Sequence, residues 1–275
     1  MVNFNQQILS KDDTIFKIEN RAFKYGDGVF ETLKIVKQKI IFCEEHYFRL
    51  MASLRMLRMK IPMDFTFDFF ENQILKTLEE NKLQDARVRV SVFRRAGGGY
   101  LPKDNTINFL IEVSQLTITL KDTYTVDLYK DYEQPSGLLS TIKTTSKLLN
   151  VLASIFADEN ELDNCILLNE RKHIVEAINS NIFLRKGNMI YTPSLEEGCL
   201  KGIIRSKVIE IIGEEESYTC VQTKISPFEM LKADEVFLTN SIVGIQSITQ
   251  YRKKAYVSEY SVRLAEKLKG LEELI

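Results

Sequence analysis

The segment IVEAINSNIFLRKGNMIYTPSLEEGCLKGIIRS, residues 174–206, contains strand-like and helix-like patterns in close succession. The part up to Pro193 is rich in Ile, Val, Phe and Tyr, and the polar KGN at 186–188 predicts a β-hairpin turn within it. Gly202 then precedes apolar residues at helical spacing, which predicts a helix beginning at Ile203. This combination indicates a mixed α/β fold.

The flanking sequence continues the same alternation. Upstream, NVLASIFADENEL (150–162) has the apolar spacing of a helix and NCILLN (164–169) is a β-rich run. Downstream, DEVFLTNSI (234–242) predicts a strand that ends in hydroxyl and amide side chains. The second half of the chain is therefore predicted to form a domain of its own.

The first half has a different order of elements. VFETLKIV and KIIFC, separated by a short polar turn, predict a hairpin, and RRAGGGYLP predicts a glycine-rich turn after a later strand. Helices are predicted at 44–62 and 68–83, and strands at 86–93 and 106–116. A polar stretch at 115–122 marks the boundary, so we expect two mixed α/β domains, 1–116 and 117–275.

The bulk composition excludes several classes of protein. Apolar residues make up 44%, charged residues 27%, and the formal net charge is −1, which does not favour a nucleic-acid partner. No apolar run has the length of a signal peptide or a membrane span. The four cysteines form no CxxC pair, so neither a metal site such as zinc nor a disulfide scaffold is expected, and a cytoplasmic location is predicted. The two histidines leave little material for a His cluster or a Ser-His-Asp triad.

Two lysines in TIKTTSKLLNVL, residues 141–152, are candidates for a nucleophile. A lysine amine becomes nucleophilic at neutral pH when burial lowers its pKa. Lys143 and Lys147 are equally good by composition, and the residues alone leave the choice open.

Arg49 and Glu176 are candidates for ligand contacts, each with an ordinary alternative. The planar fork of an arginine suits phosphate, but Arg49 shares its predicted helix with Arg55 and Arg58, as on a solvated face. Glu176 interrupts an apolar strand, where a buried carboxylate needs a partner such as a protonated pyridine nitrogen. An exposed strand glutamate paired with a lysine explains it as well.

The start of the helix after Gly202 is a candidate phosphate site. The first amides of a helix lack partners within it and carry partial positive charge, so Ile203 and Ile204 can present N–H groups to an anion. Ser241 follows the strand of 234–240, where hydroxyls often face a ligand. A loop glycine and a turn cap are the simpler interpretations of the two features.

The order of these motifs resembles the class IV aminotransferase family, the fold-type IV enzymes that use pyridoxal 5′-phosphate. The resemblance rests on NRAFKYGDGVFETLKI, EEHYFRLMASLRML, ARVRVSVFRRAGGGYLP, IKTTSKLLNVLA, residues 174–206 and DEVFLTNSIVGI, which together span roughly residues 20–250. It implies an enzyme with two domains of this architecture, the second carrying the lysine. It also implies a small amino-acid or keto-acid substrate and a homodimer.

The resemblance assigns roles by position. Lys143 matches the Schiff-base lysine and Glu176 the carboxylate at the pyridine nitrogen, while Lys147 falls on a variable position. Arg49, Ile203, Ile204 and Ser241 match phosphate-binding positions. Apart from these matches, we expect substrate contacts from Phe30, Arg89, Arg94, Tyr100 and Ile242.

The resemblance leaves the reaction open within the family. The chain lacks the Arg-x-His pair of D-amino-acid aminotransferases, which disfavours that activity. Where branched-chain aminotransferases usually carry tyrosine, this chain has Leu148, which aminodeoxychorismate lyases allow, and Ser146 replaces a common asparagine. We expect transamination of a branched-chain L-amino acid; the alternatives are 4-amino-4-deoxychorismate lyase and a non-catalytic phosphate-ligand-binding protein.

Overall fold

The computed structural model describes residues 1–275 and divides into two compact units. The first comprises Met1–Ile118, Ile142–Ser146 and Ile275, and the second comprises Thr119–Thr141 and Lys147–Leu274. Sheets and α-helices occur in both units, so the mixed α/β class predicted from the sequence is confirmed.

The placement of Lys143 differs from the predicted domain division. The units change at residues 118 and 119, close to the predicted boundary, but Ile142–Ser146 belongs to the first unit and not to the C-terminal domain. The physical reason is local: Ile142 is buried in the core of the first unit, and the backbone after it is hydrogen-bonded to a strand of that unit.

The first unit is built on one six-stranded, antiparallel sheet with the order β2-β1-β6-β5-β3-β4. Its strands are β1 (Val2–Phe4), β2 (Gln7–Leu9), β3 (Gly28–Val36), β4 (Lys39–Ile40), β5 (Ala86–Arg94) and β6 (Ile107–Gln115). Its helices are α1 (Arg21–Tyr25), α2 (Cys43–Met56) and α3 (Phe67–Glu80).

Alternation along β3 and β5 decides which face of this sheet is the core. Val29 and Leu33 on β3 and Val88 on β5 are buried in one cluster with residues of α2 and α3. The predicted hairpin of β3 and β4 is confirmed, and its two turn residues, Lys37 and Gln38, both have positive φ as a type I′ turn requires. Side chains at the even-numbered positions of β3 therefore lie on the other face.

The second unit contains two five-stranded sheets, ordered β12-β11-β10-β13-β14 and β16-β15-β7-β8-β9. Its strands are β7 (Thr125–Leu128), β8 (Asn164–Leu168), β9 (Ile174–Ala177), β10 (Asn181–Lys186), β11 (Met189–Pro193), β12 (Thr219–Thr223), β13 (Glu235–Asn240), β14 (Gly244–Ile248), β15 (Gln250–Tyr251) and β16 (Lys254–Ala255). Its helices are α4 (Leu148–Glu159), α5 (Ile203–Gly213), α6 (Phe228–Lys232) and α7 (Glu259–Glu273).

Residues 174–206 form the centre of the second unit. The predicted hairpin is β10 and β11, joined at Gly187, whose φ is +55°. The predicted helix is α5, which begins at Ile203 with Gly202 as its N-cap. Both predictions are confirmed. Each rested on a local pattern of apolar residues and on one glycine, in a turn or directly before a helix.

Some elements were not predicted. The short hairpin of β1 and β2 and the C-terminal helix α7 received no assignment from the sequence. β1 pairs with β6, about a hundred residues away, so its strand character depends on a distant partner. None of the helices has the length and apolarity needed to cross a membrane.

Candidate active site

The lysine segment lies along the start of β3 in the first unit. The Phe30 N–H donates to the Lys143 carbonyl at 2.8 Å, and the Thr145 N–H donates to the Gly28 carbonyl at 2.9 Å. The Thr145 hydroxyl adds a bond to the Gly26 carbonyl at 2.9 Å. Lys143 is thus held between two backbone anchors. Lys147, the rival candidate, is instead the N-cap residue of α4.

The Phe30 ring contacts two cationic side chains. Lys143 Nζ lies 4.7 Å from the ring centroid, and the guanidinium carbon of Arg89 lies 3.6 Å from it. Arg89 stands on β5, half-buried, and donates from Nε to Ser91 Oγ at 3.2 Å. Three of the residues predicted for catalysis or substrate contact are therefore brought together on one face of the sheet.

The opposite face of β3 carries a buried carboxylate, Glu31. Arg49 donates to it through Nε (2.8 Å) and Nη2 (2.5 Å), and His46 Nδ1 lies 2.7 Å from Oε2. Burial raises the pKa of Glu31, but the charge and hydrogen bonds of Arg49 and the bond from His46 lower it further, to about 2. Burial is also the main reason that the pKa of His46 is lowered. Arg49 and His46 thus belong to a buried ionic cluster.

The solvated-face alternative is wrong for Arg49 and fits Arg55 on α2 and Arg58 just beyond it, which are exposed. Glu31 was not among the site residues predicted from the sequence. The signal was present, because Glu31 interrupts an apolar strand in the same way as Glu176.

Glu176 lies in β9 and is buried. Its Oε2 accepts a hydrogen bond from the Leu200 N–H at 2.9 Å. The Leu200 carbonyl in turn accepts from Asn181 Nδ2 at 2.9 Å. The carboxylate is therefore bound to the loop that leads into α5, which rules out an exposed strand glutamate.

The start of α5 is closely packed around Gly202. A Cβ atom at this position would overlap Asn181 Oδ1, so a larger residue would have to displace that amide. The first amides of α5, at Ile203 and Ile204, have no acceptor within the helix. The loop thus ends in a close backbone approach followed by N–H groups directed along the helix axis.

The residues after β13 form a turn held by Asn240. Its Oδ1 accepts from the N–H groups of Ile242 and Val243 at 3.0 and 2.8 Å. Within β13, Thr239 is paired with Asn181 on β10, so both side chains lie on the same face of the sheet. The Thr239 hydroxyl is buried and has no hydrogen-bond partner in the structure. Ser241 and Ile242 directly follow this strand.

Arg94 and Tyr100 do not join the group around Phe30. Arg94 is buried and donates to Asp27, to Asn105 Oδ1 and to the Leu57 carbonyl. These bonds hold the first unit together. Tyr100 is 92% exposed and contacts the Tyr25 ring.

The second unit has the features that a phosphate-bearing pyridine requires. Glu176 supplies a buried carboxylate, and the start of α5 supplies amides beside a position that a Cβ would fill. The orphaned Thr239 hydroxyl is a further polar group that a ligand could satisfy. These residues fit pyridoxal 5′-phosphate.

Comparison with known proteins identifies the family. The family model for amino-transferase class IV matches residues 28–251. The chain belongs to this family. It is therefore an enzyme dependent on pyridoxal 5′-phosphate, and the alternative of a non-catalytic binding protein is set aside.

Individual relatives differ in their activities. A putative branched-chain-amino-acid aminotransferase of Methanocaldococcus jannaschii is 27% identical over 98% of this chain and 96% of the relative. An aminodeoxychorismate lyase of Vibrio harveyi is 26% identical over 84% of this chain and 85% of the relative. The solved branched-chain aminotransferase of Thermoproteus uzoniensis has a TM-score of 0.90 at 20% identity, covering 98% of this chain and 94% of that one, and shares the fold.

Proposed function

We propose that this class IV aminotransferase transfers the amino group of a branched-chain L-amino acid to a keto acid. The observation that carries the proposal is the Phe30 ring, which contacts both the Lys143 amine and the Arg89 guanidinium. An amino-acid substrate needs a cation for its carboxylate and an amine that handles its α-proton, and an arginine fork suits a carboxylate. The buried Phe30 ring adds an apolar surface for an aliphatic side chain.

Each residue has a distinct task in this proposal. Lys143 holds the cofactor covalently through its side-chain nitrogen and moves the proton at the substrate α-carbon. Arg89 binds a substrate carboxylate and orients the substrate. Glu176 keeps a proton on the pyridine nitrogen.

Further residues are proposed to hold the phosphate. The amides of Ile203 and Ile204, the Ser241 hydroxyl and the Arg49 side chain take this role, with Glu31 fixing the Arg49 fork through two hydrogen bonds. Ile242 is proposed to line the substrate position. When bound, the cofactor supplies an electron sink for the charge left at the α-carbon.

The test is a single half-reaction. The enzyme loaded with pyridoxal 5′-phosphate is mixed with L-leucine and no keto-acid acceptor, and the released 4-methyl-2-oxopentanoate is measured by mass spectrometry. We expect about one keto acid per cofactor. Lys143→Ala should abolish release and Lys147→Ala should not. Keto-acid release by the Lys143→Ala protein at the wild-type rate would exclude the assigned lysine.

A lyase is the second candidate. Leu148, five residues after Lys143, stands where aminodeoxychorismate lyases allow a leucine, and it is 70% exposed at the start of α4. If 4-amino-4-deoxychorismate yields p-aminobenzoate while L-leucine yields no keto acid, the lyase replaces the transaminase.

We also propose a cytoplasmic homodimer. The first unit exposes several large apolar side chains that a second copy would cover, among them Phe23, Tyr100 and Leu101. All four cysteines are free thiols, as in a reducing compartment. Light scattering should give twice the chain mass of 31.8 kDa, and a mass of one chain would reject the dimer.

A further inference from the structure

A buried carboxylate, Glu197, fixes the loop that leads to α5. Its Oε2 accepts three hydrogen bonds, from Asn169 Nδ2 at 2.7 Å, His173 Nδ1 at 2.9 Å and Arg171 Nη2 at 3.1 Å. The backbone carbonyl of Glu197 accepts a further bond from Asn169 Nδ2 at 3.0 Å. We call these four residues the Glu197 clamp.

The three donors of the clamp all come from the turn that joins β8 to β9. Asn169 is fully buried, and its Oδ1 accepts from the N–H groups of Arg171 and His173, each at 3.0 Å. The turn is therefore fixed internally as well as to Glu197. His173 immediately precedes β9, the strand that carries Glu176.

The loop has a second attachment three residues further on, at Leu200. The Leu200 N–H donates to Glu176, and its carbonyl accepts from Asn181 Nδ2 and from the Gly202 N–H at 2.8 Å. One residue's backbone thus links the carboxylate on β9, the amide on β10 and the start of α5. Any shift of Leu200 changes all three.

The clamp controls this position because so little chain separates it from Leu200. Between them lie Gly198, at φ +97°, and Cys199, which is fully buried. A Cβ at residue 198 would lie 3.0 Å from Ser136 Cα, so the backbone here packs closely against residues 135–136. A displacement of Glu197 is therefore transmitted to the Leu200 amide.

We propose that Glu197 is a positioning residue for the cofactor, holding the Leu200 amide on Glu176 and the start of α5 in place. The inference rests on the proposed roles of Glu176 and of the α5 amides. Its physical basis is that a carboxylate accepting a backbone N–H bond is stabilised in its ionised form, which is the form that keeps a pyridine nitrogen protonated. Without the clamp, the Leu200 N–H is no longer held in place as a hydrogen-bond donor to Glu176, and the first residues of α5 are no longer held in position.

The central experiment compares Glu197→Gln with Glu196→Gln. Glutamine has the shape of glutamate but no charge, and it presents an NH2 group to donors; Glu196 is the exposed neighbour and serves as the control. The dissociation constant of pyridoxal 5′-phosphate is measured by equilibrium dialysis of the apoenzyme. We expect Glu197→Gln to raise it about tenfold and Glu196→Gln to leave it unchanged.

A spectroscopic readout separates positioning from a general loss of stability. The absorbance of the bound cofactor is titrated with pH in the wild type and both variants. We expect the midpoint to move by about half a pH unit or more in Glu197→Gln only. We also expect kcat to fall about tenfold while the amino-acid KM stays within about twofold, since Arg89 and Phe30 are untouched.

Arg171→Met provides a second variant if the Glu197 variant does not fold. The Arg171 side chain is 44% exposed, and methionine keeps an apolar stem while removing one donor to Glu197. We expect about a threefold increase in the dissociation constant. Wild-type affinity and an unmoved titration midpoint in the folded variants would overturn the proposal.

The same series distinguishes this inference from the proposed function. If Glu176→Gln turns over at the wild-type rate, the assignment of Glu176 fails and the clamp has no route to the chemistry. If Glu176→Gln is slow and Glu197→Gln behaves as wild type, only the positioning role of Glu197 is wrong.

Discussion

Phe30 and Glu31 are neighbours in β3 with unrelated surroundings. Because successive side chains of a strand point to opposite faces, Phe30 meets Lys143 and Arg89 while Glu31 meets His46 and Arg49. A single strand therefore supplies a candidate substrate contact and the support for a candidate phosphate contact. A shift of one residue in its register would exchange the two.

Arg89 is the proposed contact for the substrate carboxylate. Arg89→Gln should lower kcat/KM for L-leucine by about 10- to 100-fold, because a charge-assisted bond to carboxylate is lost. The decrease in kcat/KM should come mainly from a higher KM, since the carboxylate is bound in both the ground state and the transition state. Arg87→Gln, an exposed arginine on the same face of β5, is the control. Equal losses in the two variants would contradict a specific role for Arg89.

Glu31 gives a prediction of pH dependence. Its pKa in the folded protein is about 2, against an ordinary value of 4.5, so the unfolded chain binds the proton more readily. The contribution of Glu31 to the free energy of unfolding, about 3 kcal/mol, is complete above pH 4.5 and is lost as the pH falls towards 2.

The measurement is urea unfolding of the wild type and Glu31→Gln at pH 7 and pH 3. The wild type should have a much larger free energy of unfolding than Glu31→Gln at pH 7, and the difference between the two proteins should be smaller at pH 3. Glu44→Gln, exposed on α2, should show no such narrowing. A difference that is constant with pH would mean that Glu31 is not ionised in the folded protein.

The start of helix α5 is positioned by the residues packed around it. Gly202 is an N-cap without a side chain, at φ −68°, a conformation open to any residue. Crowding, and not backbone conformation, favours glycine, because a Cβ here would displace the Asn181 amide. The same amide holds Leu200, so the helix start and the loop are fixed together.

We predict that Gly202→Ala weakens cofactor binding and destabilises the protein by about 1–3 kcal/mol, the usual cost of overpacking. Gly213→Ala, at the other end of α5, is the control, because a Cβ added there would have no atom within 4 Å. Binding of pyridoxal 5′-phosphate and thermal unfolding are measured for both. Tight binding by Gly202→Ala would show that the start of α5 does not contact the cofactor.

At the scale of the whole molecule, the notable feature is that the first unit is discontinuous in sequence. Residues 142–146 join it although both flanking stretches belong to the second unit. Ile142 is buried among the residues of the β3 core, and the Phe30 and Thr145 amides bond across the two segments. The chain therefore returns to the first unit for the segment that carries Lys143.

Because residues 142–146 belong to the first unit, a core mutation in this segment should destabilise the first unit. Ile142→Ala should destabilise the protein by about 2–5 kcal/mol and increase hydrogen exchange in β3 and β5, not in β8 or β10. Leu148→Ala, exposed two positions after Ser146, should change little. If hydrogen exchange instead increases in the strands of the second unit, residues 142–146 are anchored in that unit.

Elements whose signal is local could be predicted from the amino-acid sequence. The β3–β4 hairpin, the helices α2 and α3, and the hairpin and helix of 181–213 follow from periodicity and from turn residues, which act over a few positions. The order of motifs along the chain also determined the family. Within the site, the isolated carboxylate in an apolar strand was readable at Glu176, and the same reasoning applied to Glu31 would have found it.

Which of these residues lie close to one another could be read only from the tertiary structure. The structure shows Lys143 held along β3 and Lys147 at the N-cap of α4, and it pairs Arg94 with Asp27. It also brought Glu197 to donors 24 to 28 positions away. The physical reason is that burial and hydrogen-bond partners depend on contacts between distant segments, about which the periodicity of either segment carries no information.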